Sequence, residues 1–149
     1  MKFILFLIAV TFSSHSYATL SYCENLNVAE GLKNGWKMNY HEFQIEQSQS
    51  FNDKVSKVKN LSARGLRLLY LVDRDTKGEN KELISQVNKI ITNVNKDVYT
   101  KDAAYTMLSF TLPKLQGALD NTVFQGQLKG NCDTGIRKTV EVQRVKSRR

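Results

Sequence analysis

Proline and tryptophan each occur once in this chain of 149 residues, and histidine and cysteine twice each. The longest apolar run, Phe3 to Phe12, is half the roughly 20 residues that a membrane-spanning helix needs, so an integral membrane protein is not expected. Pro113 is the lone proline, so no proline interrupts the chain before it, which leaves room for long helices. The scarcity of histidine and cysteine argues against a zinc site built from those ligands. Nothing matches a phosphate-binding P-loop, a dinucleotide fingerprint, a C-x-x-C pair, a haem-attachment motif or a G-x-S-x-G nucleophile elbow.

What is present begins with an export signal. Lys2 precedes the apolar stretch Phe3–Phe12, a short polar segment follows, and Ser16-Tyr17-Ala18 supplies small residues at the two positions that a signal peptidase reads. Residues 1–18 are therefore expected to be cleaved, leaving a periplasmic or secreted protein. Leu20-Ser21-Tyr22-Cys23 superficially resembles a lipidation site, but bulky Tyr22 stands where a small residue is needed. With His15 removed alongside the signal, the remaining histidine is His41. Cys23 and Cys132 are then an even pair in an oxidising compartment, and a disulfide between them is expected. On the chain-entropy account, closing a loop of about 100 residues is worth up to about 4.7 kcal/mol.

The rest of the chain reads as helix. Leu26, Ala29, Leu32, Trp36, Tyr40 and Phe43 recur every three or four residues, and Val55, Val58, Leu61, Leu66, Leu69 and Val72 resume the pattern. Ser50-Phe51-Asn52-Asp53 supplies capping residues between the two stripes, giving helices near 23–48 and 52–73, with one continuous helix as the alternative. The polar stretch Asp73–Asn80 reads as a loop. A third helix is expected near 80–98, with Leu83, Val87, Ile91, Val94 and Val98 on its apolar face. A fourth follows near 101–125, capped by Thr100 and kinked or split at Pro113. Gly126, Gly130 and Gly135 are expected to mark its exit into irregular chain. The fold class is thus all-α: a small antiparallel bundle of about four helices over 19–133, closed by one disulfide. Residues 134–149 form a basic tail, in which Thr139–Val145 is either a short edge strand or without regular structure.

Charge is unevenly placed. The net charge of +8 sits mostly in the tail, where Arg137, Lys138, Arg144, Lys146, Arg148 and Arg149 face Glu141 alone. The first helix is acidic (Glu24, Glu30, Glu42, Glu46) and the second basic (Lys54, Lys57, Lys59, Arg64, Arg67), which favours their alignment as neighbours.

Three function classes follow. The leading expectation is a non-catalytic protein that docks on another envelope or secreted protein. An accessory part of a pilus or secretion apparatus, or an immunity or inhibitor protein, would fit that description. Trp36, Tyr40 and Phe43 are its candidate binding residues, since large aromatics anchor interfaces; the competing reading makes them core. The second is a cationic envelope binder or holdase, with Arg137, Lys138, Arg144 and Lys146 meeting an anionic surface. The third is a hydrolase using His41 or the Glu42/Glu46 pair, which one helix face alone does not arrange around a scissile bond. No cofactor is expected, although His41 with Met38 or Met107 is chemically able to ligate haem. Nucleic acid is not an expected partner, because no recognition motif is present.

Overall fold

The computed structural model describes residues 2–47, 49–76 and 79–132, with backbone alone for residues 2–21. The described residues are all-α, as the sequence predicts. They form four helices, α1 (Lys2–Ile45), α2 (Phe51–Thr76), α3 (Lys81–Asn95) and α4 (Lys101–Lys129), and contain no strand. The expected cleavage point after Ala18 falls within α1. The basic tail, including Arg137, Lys138, Arg144 and Lys146, lies outside the described residues. Two compact units divide the chain: Val28–Val123, and Met1–Asn27 with Phe124–Arg149.

In the Val28–Val123 unit each helix buries a row at three- and four-residue spacing. α4 contributes Ala104, Leu108, Leu112, Leu115, Leu119 and Val123; α2 contributes Val58, Leu61, Leu68, Leu69 and Val72; α3 contributes Val87, Ile91 and Val94. Fully burying a Leu or Val side chain stabilises by about 1.5–3 kcal/mol, so these rows dominate the fold. Inside the apolar contact sits one polar pair, Ser62 Oγ and Thr111 Oγ1, 3.3 Å apart. Thr111 spends its hydroxyl proton on Leu108 O at 2.7 Å, so Ser62 is the donor within the pair.

The helix ends follow their residues. Ser50 caps α2, its Oγ accepting from Asp53 N at 3.3 Å and donating to Asp53 Oδ2 at 2.6 Å. Thr100 caps α4 through Ala103 N at 3.3 Å. α3 stops at Asn95, earlier than the apolar pattern implies, because Asp97 turns left-handed (φ 54°). Asp97 N then bonds Val94 O and Val98 N bonds Asn93 O, the pair of bonds that closes a Schellman cap. Val98 is consequently exposed and does not share the core face. α2 instead runs past its expected end. Asp73 is buried and accepts from both Asn80 N (3.1 Å) and Asn80 Nδ2 (2.9 Å), while Asn80 Nδ2 also reaches Thr122 Oγ1 at 2.7 Å. The polar stretch that reads as loop therefore starts as helix, fastened by its own polar groups.

Two further expectations need correction. Leu32 is more than half exposed, and Lys33 takes the buried place in α1. The spacing Ala29, Lys33, Trp36, Tyr40 keeps the helix phase, and the Lys33 ammonium finds Asp120 Oδ1 of α4 at 3.3 Å. Lys37 joins the same carboxylate at 3.0 Å. Of the two outcomes expected at Pro113, the split does not occur, and α4 passes through the proline. The proline lacks the N–H that would bond Ser109 O, an interior cost of about 3 kcal/mol that the buried row from Leu108 to Leu119 outweighs.

Glycines in this unit carry opposite expectations. A Cβ on Gly65 would stand 2.9 Å from the Trp36 indole, whereas nothing lies within 4 Å of a Cβ on Gly117. Gly117→Ala is expected to stabilise by about 0.5–1 kcal/mol through helix propensity. Gly65→Ala should instead destabilise by about 1–3 kcal/mol by overpacking the indole. Urea denaturation of the two variants tests this: equal gains from both would mean that the indole is free to shift.

In the other unit, Cys23 and Cys132 form the expected disulfide (S–S 2.05 Å, Cα–Cα 5.5 Å). A second left-handed cap prepares it. Asn131 (φ 52°) turns the chain, with Asn131 N on Leu128 O and Cys132 N on Gln127 O. Asparagine, rather than one of the expected glycines, holds that position. Gly130 has its own use, since a side chain there would strike the Tyr22 ring, whose hydroxyl donates to Gly126 O at 3.2 Å.

Candidate functional site

Trp36 and Tyr40, expected as docking anchors, lie inside the Val28–Val123 unit. They are 2% and 8% exposed, with ring centroids 5.7 Å apart. The Trp36 indole lies over Gly65, and its Nε1–H donates to Leu61 O at 2.8 Å. Phe43 is half-buried against the same core. These are packing residues here, and a partner would have to open the unit to touch either Trp36 or Tyr40. Burial also pushes the Tyr40 phenol above its ordinary value of 10.0.

That shift has a sign. A phenol held neutral in the fold but free to ionise at 10.0 when unfolded leaves stability untouched below pH 10. Above it, the unfolded chain releases its proton first and stability falls, by at most about 1.4 kcal/mol per pH unit. Tyr40→Phe should lose less stability between pH 9.5 and 11 (about the window of phenol ionisation) than the parent, as read by urea denaturation at each pH. Parallel curves would refute the assignment.

The charged residues flank two grooves. One, of about 250 Å³, lies between α1 and α2, with Asn39, Glu42 and Glu46 on one wall and Lys57, Asn60 and Arg64 on the other. Glu46 binds Lys57 at 2.8 Å and accepts a hydrogen bond from Gln49. Both carboxylates are thus on the α1 side and the opposite wall is cationic, so Glu42 and Glu46 do not bracket a bond in the manner of paired glycosidase acids. His41 is exposed and lines neither groove. The second groove, about 510 Å³, runs between α2 and α3, with Tyr70 and Ile84 as its apolar lining and Arg74 and Lys81 as its cations. Among the described residues no cluster of acidic, histidine or cysteine side chains is grouped to hold a metal ion, and no helix is long and apolar enough to cross a membrane.

A further feature is the outward side of α1 and α2. Val28, Leu32, Met38 and Ile45 are each 57–65% exposed. Gly31 and Gly35 between them have open space where a Cβ would stand. α2 exposes Arg64, Arg67, Leu71 and Arg74, Arg64 on the groove against α1 and Arg74 on the groove against α3. Arg74 pairs with its neighbour Asp75, whereas Arg64 and Arg67 have no ion pair among the described residues. The sequence carried a signal for this surface in Val28, Gly31-Leu32 and Gly35. It is easily missed, because Leu32 also fits the core-facing stripe one position out of phase. Compared with known protein families, curated proteins and solved structures, the chain matches none.

Proposed function

We propose that the chain is an exported, non-catalytic protein that acts by docking to another protein through the outer face of α1 and α2. The observation that carries this reading is that α1 leaves four large apolar side chains, Val28, Leu32, Met38 and Ile45, standing in solvent, with Gly31 and Gly35 open among them. Exposed apolar surface that gathers on one element points to an interaction site, and glycines let a second backbone approach closely. Export is supported by Lys2, the Phe3–Phe12 stretch and Ser16-Tyr17-Ala18, and by a disulfide suited to an oxidising compartment.

The test is capture from native envelope extract with the full chain as bait. Met38→Glu is expected to weaken capture by about tenfold or more without lowering the unfolding midpoint, because Met38 is exposed. A second reading rests on the charge of residues 134–149. Capture that survives Met38→Glu but disappears on deleting those residues, and that weakens steeply with salt, would move the function to the tail.

A further inference from the structure

We infer that the occupant of the α1–α2 face is a second copy of this chain, an inference that rests on the docking reading above. The register of the two helices is set by Trp36 over Gly65 and by Glu46 beside Lys57, so they run antiparallel. In that register Leu32 is level with Leu71 and Gly35 with Arg67, while Arg64 lies about one turn from the level of Glu42. A two-fold axis parallel to the helices turns this into self-complementarity, because it lays α1 of one copy on α2 of the other with every level kept. Leu32 then meets Leu71 of the second copy, two exposed apolar side chains covering each other. Gly35 leaves room for Arg67 of the second copy. Glu42 comes within reach of Arg64 of the second copy, which otherwise has no anionic partner. Each pairing occurs twice by symmetry. Leu32 and Arg64, each without a partner in one copy, thus gain one in two.

Helix spacing sets the size of the contact. The Val28–Ile45 segment is about 27 Å long and a helix about 10 Å wide, so two neighbouring helices at about 8–10 Å separation present a face on the order of 500 Å², the size of a weak dimer contact, below the roughly 800 Å² per partner of a standard interface. An acidic partner of another kind would satisfy Arg64 and Arg67 without needing Gly35 or Leu32. The second copy uses all four.

The test is sedimentation equilibrium of the full chain and three variants. The parent is expected to dimerise with a dissociation constant below about 100 µM. Glu42→Arg alone and Arg64→Glu alone should each weaken the dimer by about tenfold or more, since each places like charges together at both symmetric sites. Mixing these two variants should then give a heterodimer as tight as the parent, because every site again holds opposite charges. A salt bridge within one chain cannot produce that restoration. Gly35→Leu, whose Cβ would have open space in its own chain, should also weaken the dimer while leaving the unfolding midpoint level or higher. A parent that stays monomeric at about 100 µM, or variants that fail to form a heterodimer, would overturn the inference. If the monomeric parent still captures an envelope protein through Met38, the docking reading stands and only the second copy is lost; if Met38→Glu changes nothing, both fall.

Discussion

Trp36→Ala is expected to lower the unfolding free energy by about 3–5 kcal/mol, the range for deleting a buried aromatic side chain. The upper part of that range applies here because the site is poorly placed to collapse. Trp36 is 2% exposed, and the surface beneath its indole is the bare backbone of Gly65, which has no side chain to swing into the vacated space. Tyr40 loses its ring neighbour in the same step. Trp36→Phe separates packing from hydrogen bonding, since it keeps most of the apolar volume and forfeits the bond from Nε1 to Leu61 O, for about 1–2 kcal/mol. Urea titrations followed by far-ultraviolet circular dichroism give both values. A loss under about 1 kcal/mol for Trp36→Ala would mean that α1 settles onto α2 and closes the cavity.

Removing the disulfide is the second large effect. Cys23 and Cys132 are 109 residues apart in sequence, and a native bridge closing so long a loop contributes about 2–5 kcal/mol, chiefly by restricting the unfolded chain. The paired change Cys23→Ser with Cys132→Ser should therefore lower the urea midpoint by a corresponding amount. Amide exchange adds a spatial readout. The bridge lies in the smaller unit and every member of the main core cluster lies between Trp36 and Val123. Exchange at residues 22–27 and 124–132 should thus accelerate first, while the amides around Leu112 and Leu115 keep their protection until global unfolding. Uniform acceleration throughout would show that the two units unfold as one.

The four helices were legible because apolar spacing is a direct imprint of helical period. Ser50 and Thr100 were legible as caps because their hydroxyls have one obvious use beside a helix start. The disulfide followed from cysteine arithmetic. What the pattern concealed was decided by partners distant in sequence. Lys33 reads as a surface lysine until Asp120 is placed beside it, and Asp73 reads as loop until Asn80 folds back onto it. Asp97 and Asn131 end helices with a left-handed turn that glycine more often supplies, so the sequence signal for those ends was weak. The candidate site was half visible. Its charges were plain along α1 and α2, but the aromatics Trp36 and Tyr40 satisfy the requirements of a docking anchor and a core residue equally well. Their sequence alone contains nothing that separates the two roles.

The hydroxyl pair between Ser62 and Thr111 has a bearing on how α2 finds its seat. Leucine and valine rows are forgiving, and one helix slid a turn along another still meets apolar surface. Ser62 and Thr111 do not tolerate such slippage. A displacement of one turn would cost Ser62 Oγ–H this acceptor and leave it only the carbonyls of its own helix, at a cost of about 0.5–1.5 kcal/mol. The pair acts as a detent, adding little to the depth of the native well while raising the adjacent notches.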